Sequence, residues 1–200
     1  WLKPSVQNNI TVLKKYGVDC IGPESGEQAC GDFGVGRMSE VEDIFLKLTQ
    51  YFRPKNLLGK KILITLGPTR EYIDPVRYIS NESSGLMGYS LAIAALQAGA
   101  DVTVIAGPTQ LDFPAELKVV SVVSAQDMFQ AVEQHIETSD LFISTAAVGD
   151  YRCEVMAEQK LKKDNDSLTL SLIKNKDILA HVGINELCDF VVGFAAETQD

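Results

Sequence analysis

The sequence predicts an α/β fold: a doubly wound, mainly parallel sheet over residues 60–200, preceded by a short remnant of a second α/β domain over residues 1–50. Three observations predict it. From residue 60 onward, apolar runs of strand length alternate with helix-like runs. Repeated β-α-β connections of that kind imply parallel strands joined by right-handed crossovers. The composition breaks once, at YFRPKNLLGKK (51–61), where Pro54 and Gly59 flank a short basic stretch of no clear period, which reads as a linker over 51–59.

Before the linker, NITVLKKYG (9–17) reads as a helical run leading to a short strand, DCIGP (19–23). GEQACGDFGVGRM (26–38) is dense in glycine. The piece is too short for a domain and reads as the tail of a larger one. The missing initiator Met, and a start (WLKPSVQNN) without an apolar core, read as a fragment or processed product with no signal peptide.

After the linker, the KILITL part of KKILITL (60–66) reads as a continuous apolar strand, as expected when both faces are covered. A helix follows at about 85–98, with Gly99 as its stop. DVTVIAG (101–107) and VVSVV (119–123) are the next strands. Residues 124–140 form a helix that starts with Ser124 as N-cap and Asp127 three residues on, and puts Met128, Val132 and Ile136 on one face. LFISTAAV (141–148) is a fourth strand. LKKDNDSLTLSLIKN (161–175) reads as a hairpin with DNDS as its turn; KDILAHVGINEL (176–187) is a helix, and DFVVGFAA (189–196) a final strand.

Bulk properties exclude several classes. The 200 residues are 46% hydrophobic and 22% charged, with a formal net charge of −9, a poor balance for a general nucleic-acid binder. No apolar run approaches the ~20 residues of a membrane span. Cys20, Cys30, Cys153 and Cys188 form no C-x-x-C pair, and only His135 and His181 could join them, which argues against zinc. Four scattered thiols fit a reducing cytoplasm, where all but Cys30 read as small buried hydrophobes.

The connection after the first strand, GPTREYIDPVRYISNESSGLMG (67–88), far exceeds the usual ~2–6 residues. Ligands of doubly wound sheets sit at the carboxyl ends of the strands, so this loop is expected to line the site. Ser83, Ser84, Gly85 and Gly88 sit where a dinucleotide fold places its phosphate turn; a glycine-eased helix start is the plainer reading. Arg70 and Arg77 suit carboxylate or phosphate recognition, or pair with Glu71 or Asp74. Asn81 faces the same pocket or caps a turn. In QKLKK (159–163), downstream of Arg152, Lys160 and Lys162 would share one strand face and Lys163 the other. The group is either a lysine-protected hairpin edge or a flap over a triphosphate. Asp150, at the mouth of the fourth strand, suits a ribose or magnesium. A nicotinamide cofactor is disfavoured. The second strand runs into IAGPTQ with no acid before Asp112, and the only Tyr-x-x-x-Lys, Tyr51 to Lys55, contains Pro54 and precedes the first strand.

GPTREYIDPVRYISNESSGLMG, AAVGDYR, EQKLKK, KNKDIL and VGFAAET resemble, in order, the phosphopantothenate–cysteine ligase domain of the bifunctional coenzyme A biosynthesis family. ACGDFGVGRM resembles the cysteine-bearing clamp of that family's upstream decarboxylase domain, and Trp1 the last letter of its PxMNxxMW motif. The resemblance implies a Rossmann-like sheet that activates 4′-phosphopantothenate with CTP and Mg²⁺, forming an acyl-cytidylate that cysteine then attacks. It implies CTP contacts at Ser83, Ala147, Asp150, Lys160, Lys176, Asp177, Ile178, Leu179 and Phe194; Ser84, Gly85 and Gly88 join them from the phosphate turn and Lys163 from the lysine run. It gives Arg77 and Asn81 the phosphopantothenate and the acyl intermediate. Cys30 would be the thiol of an FMN-dependent decarboxylase, idle without flavin. A homodimeric ligase in a longer, cytoplasmic protein is implied too. Gly149 stands where the family reads AVADYR, and Lys176 where it starts a segment with proline. The rival readings are a nucleotide-binding domain without turnover and a Rossmann-type NAD(P)-dependent oxidoreductase.

Overall fold

A computed structural model describes residues 1–28, 31–162 and 167–195, without the side chains of Leu46 and Gln50. The chain divides into two compact units, Trp1–Pro54 and Lys55–Asp200. In the first, helix α1 (Pro4–Lys15) opens on a proline at its first turn, where a missing N–H costs nothing. Strands β1 (Glu24–Glu27) and β2 (Phe33–Arg37) form an antiparallel hairpin, and helix α2 (Val41–Tyr51) follows. The strand expected at 19–23 does not form; pairing begins at Glu24. The α2 helix was not anticipated, although Val41, Phe45 and Leu48 carry its i, i+4, i+7 spacing, and it runs into the first residue of the expected linker.

The second unit contains strands β3 (Lys61–Leu66), β4 (Arg70–Tyr72) and β5 (Tyr78–Ser80), helix α3 (Leu86–Gln97), strands β6 (Asp101–Ala106) and β7 (Lys118–Ser121), helix α4 (Ala125–Ile136), strands β8 (Leu141–Ser144), β9 (Tyr151–Cys153) and β10 (Leu172–Lys174), helix α5 (Ile178–Ile184) and strand β11 (Phe190–Gly193). Five strands make one parallel sheet in the order β11-β8-β3-β6-β7. Alternation along β3 explains the layers. Ile62, Ile64 and Leu66 pack with Ala92 and Ala95 of α3 on one face. Leu63 joins Met128, Phe129, Val132 and Ile136 of α4 and Ile178 and Val182 of α5 on the other. The expected capping box is present: Ser124 accepts from Asp127 N and Asp127 accepts from Ser124 N.

Among the described residues the hairpin predicted over 161–175 does not form. Strand β10 pairs antiparallel with β9, Leu172 opposite Cys153, and residues 159–162 are not a strand, so the edge-strand account of the lysines fails. The DNDS turn falls mostly outside the described residues.

Candidate functional site

Chain order runs outward from β3 to β6 and β7, then returns past β3 to β8 and β11. The reversal leaves a crevice at the carboxyl ends of β3 and β8, because the two flanking connections leave the sheet in opposite directions. Pairing continues beyond the strands there. Ala147 N donates to Gly67 O at 2.9 Å, Thr69 N donates to Ala147 O at 3.3 Å, and Pro68 bridges Ala147. The wholly buried Thr69 accepts the Gly149 N–H on Oγ1 at 2.9 Å. Asn175, also buried, donates from Nδ2 to Gly149 O at 2.7 Å and from its backbone N to Asp150 O, and accepts from Arg152 Nη1 on Oδ1. The Gly149 peptide is thus held from both sides. Asp150 is presented exposed, its carboxylate without a partner among the described residues.

The long connection is not an open loop. Strands β4 and β5 pair as a small hairpin with Tyr72 against Tyr78, and Arg70 lies over the Tyr78 ring at 4.7 Å rather than on Glu71 or Asp74. Glu71 is buried and accepts the Ala125 N–H, serving the first turn of α4. Beyond β5, Asn81 is exposed and donates from Nδ2 to Val148 O at 3.0 Å, tying it to the 145–150 segment. Ser83 and Ser84 accept on their hydroxyls from Gly85 N and Leu86 N, both at 3.3 Å. Thr109 Oγ1 donates to Ser84 O at 3.0 Å, and a depression of about 310 Å³ opens between Ser83, Ser84 and residues 108–111. Gly85 is the left-handed N-cap of α3 and carries no side chain to cap it, so the positive end of the helix begins just beyond the Ser83–Ser84 wall of this depression, with Ser84 Oγ on its first amide.

Gly88 lets α3 lie against the sheet at that point. A Cβ there would overlap Thr145 Oγ1 and sit 2.6 Å from Leu66 Cβ, which belongs to the central strand and cannot swing away. Gly88→Ala should therefore lose stability despite a helix-propensity gain of about 1 kcal/mol, because overpacking costs about 1–3 kcal/mol and more where backbone must move. We expect a net loss of about 1–2 kcal/mol in urea unfolding. An unchanged or higher midpoint would show that the helix–strand approach is not tight.

Arg77 meets the plainer of its two readings. Its Nε and Nη2 donate to Asp74 Oδ2 at 2.9 and 2.6 Å, and Nη2 also donates to Leu161 O at 2.8 Å. Burial alone would raise the Asp74 pKa. The hydrogen bonds from the Arg77 side chain and from the Val76, Leu161 and Arg77 amides outweigh it, and hold the carboxyl well below the usual carboxylate range. Lys160 and Lys162 are exposed and have no partner among the described residues.

In the segment leading into α5, Lys176 Nζ lies 4.2 Å above the Phe129 ring, and Asp177 caps the helix by accepting from Ala180 N. Ile178 is core, so its side chain is committed to the fold, and Leu179 is half-buried beside it. Any ligand contact at Ile178 is therefore by backbone, whereas the exposed Asp177 keeps its Oδ2 open among the described residues. Phe194 is half-exposed at the carboxyl end of β11 and donates its N–H to Ser144 O. Cys30 and Lys163 lie outside the described residues, and no group of three or more His, Cys, Asp or Glu suited to a metal occurs among those described.

The structure thus brings together Asn81, the 83–88 turn, Ala147 and Asp150, and joins Arg77 to the turn that carries Lys160. Sequence reasoning passed over Thr69, Thr109 and Asn175. Each is a polar residue inside or beside a quoted run, but burial or pairing across more than 20 residues of chain marks it only once the chain is folded.

Residues 57–200 match the sequence profile of the DNA/pantothenate metabolism flavoprotein C-terminal domain. The chain is 52% identical over 199 residues to the coenzyme A biosynthesis bifunctional protein CoaBC of Vibrio vulnificus, covering 98% of this chain and 50% of that protein. It is 45% identical over 201 residues to the protein of the same name from Escherichia coli, again covering 98% and 50%. The chain thus spans about half the length of these curated relatives. The solved C-terminal domain of a CoaBC protein superposes with a TM-score of 0.64 at 44% identity, covering 73% of this chain and 69% of that one. A Cab2 mutant in complex with phosphopantothenate-cysteine superposes with a TM-score of 0.58 at 16% identity, over 78% and 69%, a likeness of fold.

Proposed function

Because the chain belongs to the DNA/pantothenate metabolism flavoprotein C-terminal domain family, we propose that its Lys55–Asp200 unit serves coenzyme A biosynthesis by joining 4′-phosphopantothenate to cysteine in a CTP-dependent ligation. The observation that carries this reading is the convergence, at the reversal of strand order, of an anion-suited helix start, an exposed carboxylate and an exposed amide.

The substrate carboxylate attacks the α-phosphorus of CTP. The bond from that phosphorus to the bridging oxygen breaks, and pyrophosphate leaves with the electron pair. The cysteine amine then attacks the acyl carbon of the mixed anhydride, CMP departs with the electrons of the C–O bond, and the amine proton passes to solvent. Such displacements need placement and charge compensation more than a protein nucleophile. The 83–88 turn receives phosphate oxygens at the start of α3, Lys160 offsets charge building on the leaving pyrophosphate, and Asp150 takes the ribose. Asn81 holds the acyl carbonyl, and Arg77 the phosphate of phosphopantothenate through the guanidinium edge that Asp74 leaves open. Asp150, exposed and without a partner among the described residues, would be the carboxylate to hold Mg²⁺ if it is not taken up by the ribose, and the ion would supply charge neutralisation at the triphosphate.

Residues 1–54 fit the flavoprotein half of a bifunctional arrangement, in which FMN would belong to the complete decarboxylase. No helix among the described residues is long and apolar enough to cross a membrane.

Thermal unfolding tests the nucleotide. At about a hundred times Kd a ligand adds roughly 2.7 kcal/mol, which for a chain of this size is a rise on the order of 5–10 °C. We expect that rise with CTP and Mg²⁺ and none with NADH or NADPH. A shift with NADH and none with CTP would remove the ligase reading.

A further inference from the structure

We propose that Asp74 is a positioning residue for the nucleotide half of the reaction: by holding the Arg77 guanidinium and the Leu161 peptide together, it fixes the turn carrying Lys160 and Lys162 against the 67–88 segment. The inference rests on the ligase reading for its chemistry and on geometry for the clamp itself.

Asp74 is completely buried. Its Oδ1 accepts from Val76 N and Arg77 N, both at 2.9 Å, closing a tight turn between β4 and β5. Its Oδ2 accepts from Arg77 Nε and Nη2 and from Leu161 N at 3.1 Å. Arg77 Nη2 reaches the same residue from the other side, donating to Leu161 O. Both polar groups of the Leu161 backbone are therefore engaged by one ion pair across more than 80 residues of chain. Ala157 N donates to Ile73 O at 3.0 Å as a second tether on the same turn.

The lysines on either side of Leu161 remain exposed and unpartnered among the described residues. An ammonium group on a four-carbon stem is useful to a triphosphate only if its base is fixed, since charge stabilisation depends on preorganisation. Sequence alone offered Asp74 as a neutraliser of Arg77. Only the fold gives it a second task at Leu161.

Asp74→Asn is the informative variant. It keeps the shape and Oδ1, but replaces the Oδ2 acceptor with an amide donor facing Arg77 and the Leu161 N–H. In the full-length protein, pyrophosphate release from CTP should fall about tenfold, as expected for a displaced catalytic group. In a Lys160→Gln background, with phosphopantothenate saturating so that its Arg77 contact does not limit the rate, the same change should cost less than twofold, because residues acting as one unit are not additive. A tenfold loss in both backgrounds would overturn the proposal, as that is what general damage to the fold produces. Hydrogen exchange of the Leu161 amide in the unliganded wild-type protein gives a second measurement that needs neither a folded variant nor turnover. Slow exchange supports the clamp, and exchange at the rate of an open amide overturns it. If the wild-type protein releases no pyrophosphate from CTP and phosphopantothenate, the ligase reading fails instead, while the exchange result still judges the clamp.

Discussion

Lys160→Gln is expected to slow pyrophosphate release and amide formation together, by about a hundredfold. As the carboxylate attacks the α-phosphorus, negative charge moves onto the departing pyrophosphate, and an ammonium group held nearby offsets it. Removing one preorganised charge or donor of this kind costs on the order of 3 kcal/mol, which is roughly two powers of ten in rate. Glutamine keeps much of the stem and loses the charge, so the loss reports electrostatics rather than packing. Lys160 is exposed and makes no bond within the described residues, so the variant should unfold at the wild-type midpoint. The measurement is pyrophosphate and CMP production in parallel in the full-length protein, with and without cysteine. Because the second half-reaction cannot outrun the first, both products should fall by the same factor.

Asn81→Ala should separate the two products. The Asn81 side chain sits on the Val148 carbonyl, beside the segment that leads to Asp150, and it offers one further N–H to a ligand. An amide donor can hold an acyl carbonyl oxygen as the cysteine amine approaches and charge develops there, but it brings no charge to a triphosphate. The loss of a donor at a developing oxyanion is worth about a hundredfold or more. Amide formation and CMP release should drop by that order, while the first burst of pyrophosphate is largely spared and acyl-cytidylate accumulates. If Asn81→Ala abolishes pyrophosphate release and Lys160→Gln leaves it intact, the two roles are reversed and this account of the long connection fails.

The strands expected over 60–66, 101–107, 119–123 and 189–196 form as Lys61–Leu66, Asp101–Ala106, Lys118–Ser121 and Phe190–Gly193, and the helices expected over 85–98 and 124–140 match to within a few residues. Their signals are local. A continuous apolar run, a 3.6-residue period, or a Ser with Asp three residues on can each be read from neighbouring letters. Elements whose stability is set by distant partners were misread. The β9–β10 pair joins residues separated by the whole lysine-bearing turn, and the alternation in LTLSLI gave no hint that its partner was YRC. The β4–β5 hairpin was hidden because Arg70, Tyr72 and Tyr78 look like loop residues until their rings and guanidinium stack.

The sequence by itself determined that this is a parallel α/β chain with a polar, glycine-bearing connection after its first core strand, and the ordered motifs in it were enough to point to the family. The physical reason is that strand and helix periods, glycine freedom and the adjacency of motif letters are properties of a few consecutive residues. Only the tertiary structure decided what each polar residue is used for. Burial selects among partners that sequence leaves equal: it gave Arg77 to Asp74, Glu71 to the start of α4, and Ile178 to the core, and it left Lys160 and Asp150 open to solvent. A charge or amide removed from water must find its bond wherever the fold brings one, and for Asp74 that bond lay at Leu161, far along the chain.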